Sequence, residues 1–387
     1  MIVVHFSQDF RKGKPQLGGF SRIISQTCDG NRHIVFTIGE SDKNFEVENL
    51  LGNSVQVFQV GLKNTNCYSL QNQLLNAPKI VNGILNILKE NQIYPDVLFG
   101  HAQLFNYYIL LLVHFLKFKK AKLIWEFNVV WSFDRSGGLK VKLRSLLQRL
   151  SQGFILKKAD GLVFQTKSAR DFIFEKYKCE HHLTIIIENS VEVNNSIPDV
   201  ERFHPSVFLV YGLFDELNGI KFLLETLVKC KDLDMPEIHF LGNGTLVNDV
   251  IQFCEEHPKC KYLGSVEKNQ IPIILKQYAF GLIPRIDTLG SRLYIPTKVV
   301  EMMNLGLVVL GSSVHGLTEV IENEKNGFLY TVGDGVDMVQ KMQFMVGLDE
   351  VYLNNIREEA LIELRQSFNL DLKLEQQKSF LEILVNN

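Results

Sequence analysis

The densest cluster of chemistry-bearing residues lies in residues 281–330, GLIPRIDTLGSRLYIPTKVVEMMNLGLVVLGSSVHGLTEVIENEKNGFLY. A strand pattern ends at Pro284, and a polar loop with Arg285 and Arg292 follows. A helix pattern then opens at Pro296-Thr297-Lys298, where proline suits the first turn. The start of a helix carries partial positive charge and unbonded amides, so Thr297 and Lys298, with two arginines nearby, could cradle a diphosphate. Glu301, one turn further on, could accept hydrogen bonds from ribose hydroxyls or could serve as an exposed partner of the helix dipole. A second anion-binding candidate follows the first strand, in the loop Lys14-Pro15-Gln16-Leu17-Gly18-Gly19-Phe20. There Gly18 and Gly19 let the backbone approach a phosphate just before a helix.

Two strand ends carry other reactive side chains: His101 closes PDVLFGH, and Glu126 and Asn128 lie in KLIWEFNVVW. No GxGxxG fingerprint occurs, because Gly242-Asn243-Gly244 is followed by Thr-Leu-Val, so a nicotinamide cofactor loses its main support. Between residues 117 and 158 stand eleven basic side chains against only Glu126 and Asp134, a net charge of +9. Leu139, Leu143, Leu146, Leu147 and Leu150 recur among them at helical spacing. A basic amphipathic helix of this kind over 139–158 can lie on an anionic membrane surface, or can be a surface helix with its apolar face in the core.

The elements that must position these residues alternate along the chain. Residues 1–6, 33–40, 55–61, 96–102, 122–128, 161–166 and 183–189 are continuous apolar or β-branched runs, the pattern of parallel strands covered on both faces. Helical patterns at 21–27, 80–91, 104–118, 139–158 and 168–177 separate them. Residues 194–206, NNSIPDVERFHPS, are polar and aperiodic and predict a linker. The rhythm restarts at 207–212, 237–244, 261–266, 280–285, 307–312 and 327–332. An amphipathic helix over 372–387 closes the chain. This predicts two doubly wound, Rossmann-like α/β domains facing a cleft, 1–195 (joined by 372–387) and 206–371.

Composition narrows the class further. The chain has 387 residues, 46% hydrophobic and 22% charged, with a net charge of -2, a globular balance that excludes a nucleic-acid polycation. Six scattered cysteines with no CxxC pair argue for reduced thiols and against a disulfide frame or zinc site. MIVVHFSQDF lacks a basic region followed by an apolar core, so no signal peptide is expected. The apolar run 104–118 is shorter than the ~20 residues of a membrane span, and a cytoplasmic location is expected.

The segment PTKVVEMMNLGLVV resembles the PxKxxE variant of the C-terminal motif of family 4 of the retaining glycosyltransferases, which have the GT-B fold. GGFSRI, PDVLFGHA, KADGLVFQTKSA, LTIIIENSVEV, IHFLGNGTL, KYLGSVEKNQIPIIL and GLTEVIENEKNGFLY resemble that family's further motifs, in the family's order. The resemblance implies metal-independent transfer of a sugar from a nucleotide-sugar donor, with retention, to a glycan or polyprenol-linked acceptor. Surface polysaccharide synthesis at the inner face of the plasma membrane would be the setting. It implies that Glu301 holds the ribose, that Thr297, Lys298, Gly18 and Gly19 meet the diphosphate, and that Glu319 ties the structure. It also brings His101 and Glu126 to the acceptor side, with Trp131 in the same segment. Three positions depart from the pattern: Leu293 replaces the first glutamate of the family's pair, and Leu213 and Asn218 replace an arginine and a lysine that grip the diphosphate. Arg285, Arg292 and Lys298 are the cations available to replace them. A non-catalytic homologue acting as a partner or sugar-binding subunit, or a nucleotide-sugar epimerase, would also fit these departures.

Overall fold

Strands rich in Val, Ile and Phe, apolar on both faces, need helices above and below, and that demand organises the computed structural model of the chain. It describes residues 1–7, 23–24, 26–49, 51–62, 70–101, 104–127, 139–178, 180, 183–198, 204–230 and 233–387. Two compact units result: Met1–Glu188 with Asp371–Asn387, and Asn189–Leu370.

The first unit holds strands β1 (Ile2–Phe6), β2 (Arg32–Gly39), β3 (Lys43–Glu48), β4 (Ser54–Gly61), β5 (Val97–His101), β6 (Lys122–Phe127), β7 (Gly161–Phe164) and β8 (Thr184–Ile186). Their order in the sheet is β3-β4-β2-β1-β5-β6-β7-β8. Every pairing is parallel except β3 with β4, an antiparallel edge that the sequence reading omits. Lys43–Glu48 is mostly exposed, so it lacks the continuous apolar run that marks its neighbours. Helices α1 (Leu70–Glu90), α2 (Leu104–Leu116), α3 (Leu139–Leu156) and α4 (Lys167–Tyr177) connect the strands. The first of these starts ten residues ahead of the predicted Ile80, with Pro78 inside it. The missing N–H of Pro78 removes one hydrogen bond without ending the helix.

The second unit is a wholly parallel sheet of β9 (His204–Leu213), β10 (Glu237–Asn243), β11 (Cys260–Tyr262), β12 (Tyr278–Ile283), β13 (Val308–Ser312) and β14 (Phe328–Tyr330). Its order is β11-β10-β9-β12-β13-β14. Its helices are α5 (Ile220–Lys229), α6 (Val247–Glu256), α7 (Ile271–Leu275), α8 (Leu289–Leu293), α9 (Thr297–Asn304), α10 (His315–Thr318), α11 (Gly335–Val346) and α12 (Glu350–Ser367). Part of the predicted linker belongs to this unit. The Asn194 backbone N–H donates to Asn304 Oδ1 at 2.8 Å, and Arg365 Nη2 donates to the Asn195 carbonyl at 2.7 Å.

The last helix, α13 (Leu370–Asn386), returns to the first unit. Phe380, Leu381 and Leu384 join Val3, Val97, Phe99, Ile124 and Val163 in one buried cluster. A Cβ at Gly161 would stand 2.8 Å from Phe380 Cζ, so the glycine in β7 lets this helix close on the sheet.

Candidate functional site

Helix α9 shows how the second unit exposes reactive groups. Val299, Val300, Met302 and Met303 are buried, each contributing about 1.5–3 kcal/mol by leaving water. That face fixes the helix and leaves Thr297, Lys298 and Glu301 on the other side. Pro296 caps its start without a side-chain hydrogen bond. Gly306, at φ 77°, ends the turn after it in a conformation that suits glycine.

Around this helix start gather the ends of β9 and β12. Tyr211 donates its hydroxyl hydrogen to Glu301 Oε2 at 2.9 Å, and burial together with Glu301 raises the Tyr211 pKa. Gly212, at φ 113°, takes a conformation that suits glycine, and the Lys298 stem passes beside it, its Cδ 3.7 Å from where a Cβ would stand. Asp215 Oδ1 accepts from both the backbone N–H and the Nδ2 of Asn218, at 2.8 Å each. The turn then reaches Gly219, at φ 77°, where a Cβ would meet the Pro284 carbonyl oxygen at 1.5 Å. Only glycine permits this approach, which sets the loop after β9 against Pro284 and Arg285.

Two cations share the place. Arg285 donates from Nη1 to the Tyr294 carbonyl at 3.0 Å, while its Nε is buried with no partner. Ser312 Oγ donates to the Arg285 carbonyl at 2.7 Å and holds that backbone. Burial lowers the Arg285 pKa to about 10. Burial, with Arg285 adding repulsion, lowers Lys298 to about 8, against the opposing pull of Asp215 and Glu301. Two crowded, partly desolvated cations at the opening of a helix can bind a polyanion, which would relieve their repulsion.

The structure sorts the predicted residues. Lys298, Glu301, Thr297 and Arg285 come together. Arg292 does not join them: it is exposed, and Asp287 holds it at 2.6 and 2.7 Å. Its distance from Arg285 in sequence hides a local ion pair within the loop and first turns of α8. Leu293 is buried at 7% exposure, whereas Leu213, at the end of β9, is 58% exposed. Asn218 serves the turn rather than replacing a cation. Glu319 pairs with His315 at 3.3 Å, one helical turn away. Gly18, Gly19, Asn128 and Trp131 lie outside the described residues.

His101 and Glu126 meet at the ends of β5 and β6, with Nδ1 2.7 Å from Glu126 Oε2. Both are buried, and His101 Nε2 is engaged by His5 Nδ1 at 2.7 Å. Both His101 ring nitrogens are therefore occupied within the sheet. Sequence reasoning missed His5, His33, Asp29, Tyr211 and Asp215. A histidine inside the apolar run MIVVHF was the available signal for the first.

Residues 205–347 match the family model described as glycosyl transferases group 1. The matched stretch lies within the second unit. No curated protein sequence matches the chain. Among solved structures, the sucrose-phosphate synthase from Thermosynechococcus elongatus superposes with a TM-score of 0.77 at 13% identity, covering 100% of this chain and 99% of that one. Anabaena HepE in complex with UDP-glucose gives 0.72 at 14%, over 99% and 100%. The lipopolysaccharide outer core galactosyltransferase WaaB, in its apo form, gives 0.66 at 16%, over 98% and 99%. Over its two units the chain has the GT-B fold.

Proposed function

We propose that the chain is a retaining, metal-independent glycosyltransferase that moves a sugar from a nucleoside-diphosphate donor to a glycan or polyprenol-linked acceptor, in the synthesis of a surface polysaccharide. The observation that carries this reading is the pair Lys298 and Arg285 at the start of α9, with Glu301 one turn along the same face. The amides of Thr297 and Lys298 and the two cations would take the diphosphate, and Glu301, steadied by Tyr211, would take the ribose. Arg285 and Lys298 would thus replace the missing cations at Leu213 and Asn218. With the diphosphate neutralised there, its oxygen could accept the acceptor hydroxyl proton as the glycosidic bond breaks. His101 and Glu126 would belong to the acceptor side. The UDP and UDP-glucose bound by Anabaena HepE support a nucleotide-sugar donor.

A panel of UDP, GDP and ADP sugars, assayed for transfer and for donor hydrolysis, tests the reaction. Turnover with at least one donor is expected, and Glu301→Ala should weaken nucleotide binding at least tenfold by calorimetry. Absence of both turnover and nucleotide binding would overturn the assignment in favour of a non-catalytic homologue, and product from donor alone would favour an epimerase.

The first unit supports attachment to a membrane surface. Leu146, Leu147, Leu150 and Phe154 of α3 and Leu112, Phe115 and Leu116 of α2 are 44–65% exposed. The inward side of α3 holds Ile155 and Leu156 together with Ser145 and Gln152. Exposed leucines among Lys142, Lys157 and Lys158 suit an anionic leaflet, at ~1 kcal/mol per basic residue near the surface. Among the described residues, no helix is long and apolar enough to cross a membrane. Replacing Lys140, Lys142 and Arg144 with Gln should release the protein from anionic vesicles in a flotation assay; unchanged flotation would remove this attachment.

A further inference from the structure

Five buried side chains cross the first sheet in an unbroken line. Glu126 Oε2 lies 2.7 Å from His101 Nδ1, and His101 Nε2 lies 2.7 Å from His5 Nδ1. His5 Nε2 lies 2.8 Å from His33 Nδ1, and His33 Nε2 lies 2.6 Å from Asp29 Oδ1. Asp29 Oδ2 accepts from Gln377 Nε2 at 2.8 Å, which ties the line to α13. All six are buried. Ring centroids of His5 stand 5.1 Å from His33 and 5.0 Å from His101.

The four contacts between Glu126 and Asp29 need four hydrogens, one in each. Three neutral imidazoles bring only three, one apiece. A fully bonded line between two carboxylates therefore holds one more proton than neutral rings provide, and an unpaired buried nitrogen would be costly.

We propose that Glu126, His101, His5, His33 and Asp29 form a proton relay that holds this excess proton and can deliver it to either end. In one end state His33 is doubly protonated beside Asp29, and His5 and His101 are neutral. In the other, His101 is doubly protonated beside Glu126. Passing from the first to the second breaks N–H at His33 Nδ1 and forms it at His5 Nε2. It then breaks N–H at His5 Nδ1 and forms it at His101 Nε2, with no net gain or loss. Burial, reinforced by repulsion from His101 and His33, lowers the His5 pKa, so the middle ring passes the proton on rather than keeping it. The strands explain the path: β1 lies between β2 and β5, so His5 bridges the start of β2 to the end of β5.

The relay ends where β5 and β6 finish, and doubly wound sheets receive ligands at such strand ends. His5 and His33 are then positioning residues, placing a movable charge beneath that end through His101 and Glu126. No group of metal-ligating side chains suited to hold an ion occurs among the described residues, and here the ring nitrogens face one another instead.

The test uses the full chain labelled with 15N in its histidine rings, with His5→Gln, His33→Gln and His101→Gln for assignment. At pH 7, long-range 1H–15N correlation should show four ring N–H protons on these three residues, protected from solvent exchange. Glu126→Gln should confine the doubly protonated ring to His33, and Asp29→Asn should move it to His101. Three ring protons in the unsubstituted chain would overturn the relay, as would a doubly protonated ring that stays in place in both carboxylate variants. The measurement needs no donor or acceptor, so its failure would leave the proposed transfer reaction standing, and failure of transfer would leave the relay standing.

Discussion

Lys298→Met weakens binding of a nucleoside-diphosphate sugar by ten- to a hundredfold in isothermal calorimetry, the effect of losing a charge-assisted contact of ~1.5–3 kcal/mol. The same substitution should raise the stability of the second unit. Burial and Arg285 lower the Lys298 pKa to about 8, so the folded state holds this cation at a cost relative to the unfolded chain at neutral pH. A residue that lowers stability while it strengthens ligand binding is expected at a functional site. The pH dependence follows in sign. A bound diphosphate favours charged Lys298, so affinity is full below about pH 8 and declines as pH rises past that value. In Lys298→Met that decline should flatten. If affinity matches the unsubstituted protein and shows the same decline, Lys298 has no part in binding.

The second large effect concerns the histidine line. Once unfolded, its three histidines titrate near 6.5, and together they carry one proton in excess of neutrality at about pH 6.8. The folded relay also carries one, so its contribution to stability should peak near that pH. Below it the unfolded chain binds more protons and stability falls, by on the order of 3 kcal/mol between pH 6.8 and 5. Above it the folded state binds more, and stability again declines. Asp29 contributes in the same direction at lower pH. Burial alone would raise its pKa, but the bond to His33 and its charge outweigh that and lower it, so its stabilisation is present above about pH 4 and lost as pH falls further. Both tryptophans, Trp125 and Trp131, fall within Met1–Glu188, so urea unfolding followed by their fluorescence reports this unit. Equal midpoints at pH 5 and 7 would rule out a single retained proton.

The fold was legible in the sequence because most of its strands are covered on both faces. Runs such as LVVLGS and HIVFTIG have few alternatives, and the positions of the strands place the ends that carry Arg285 and His101. Lys43–Glu48 escaped notice because an exposed edge strand needs no apolar run. The start of α9 was legible through Pro296, Lys298 and Glu301, whose spacing is local. The pairing of Arg292 with Asp287 was not legible, because it depends on how the loop enters α8, which composition does not reveal. The relay was illegible for another reason. His5, His33 and His101 lie 28 and 96 positions apart in their pairings, and only the strand order β2-β1-β5 makes them neighbours.

The return of α13 makes the first unit depend on residues that follow the second. Phe380, Leu381 and Leu384 belong to the buried cluster against Val3 and Val97, and Gln377 closes over Asp29 and the Gln26 carbonyl. A chain ending at residue 370 has every element of the second unit but lacks this helix, so the second unit can complete its core while the first lacks its final wall. Such a truncated chain, released from the ribosome and purified, should therefore present a protease-resistant second unit beside a first unit that is readily cleaved.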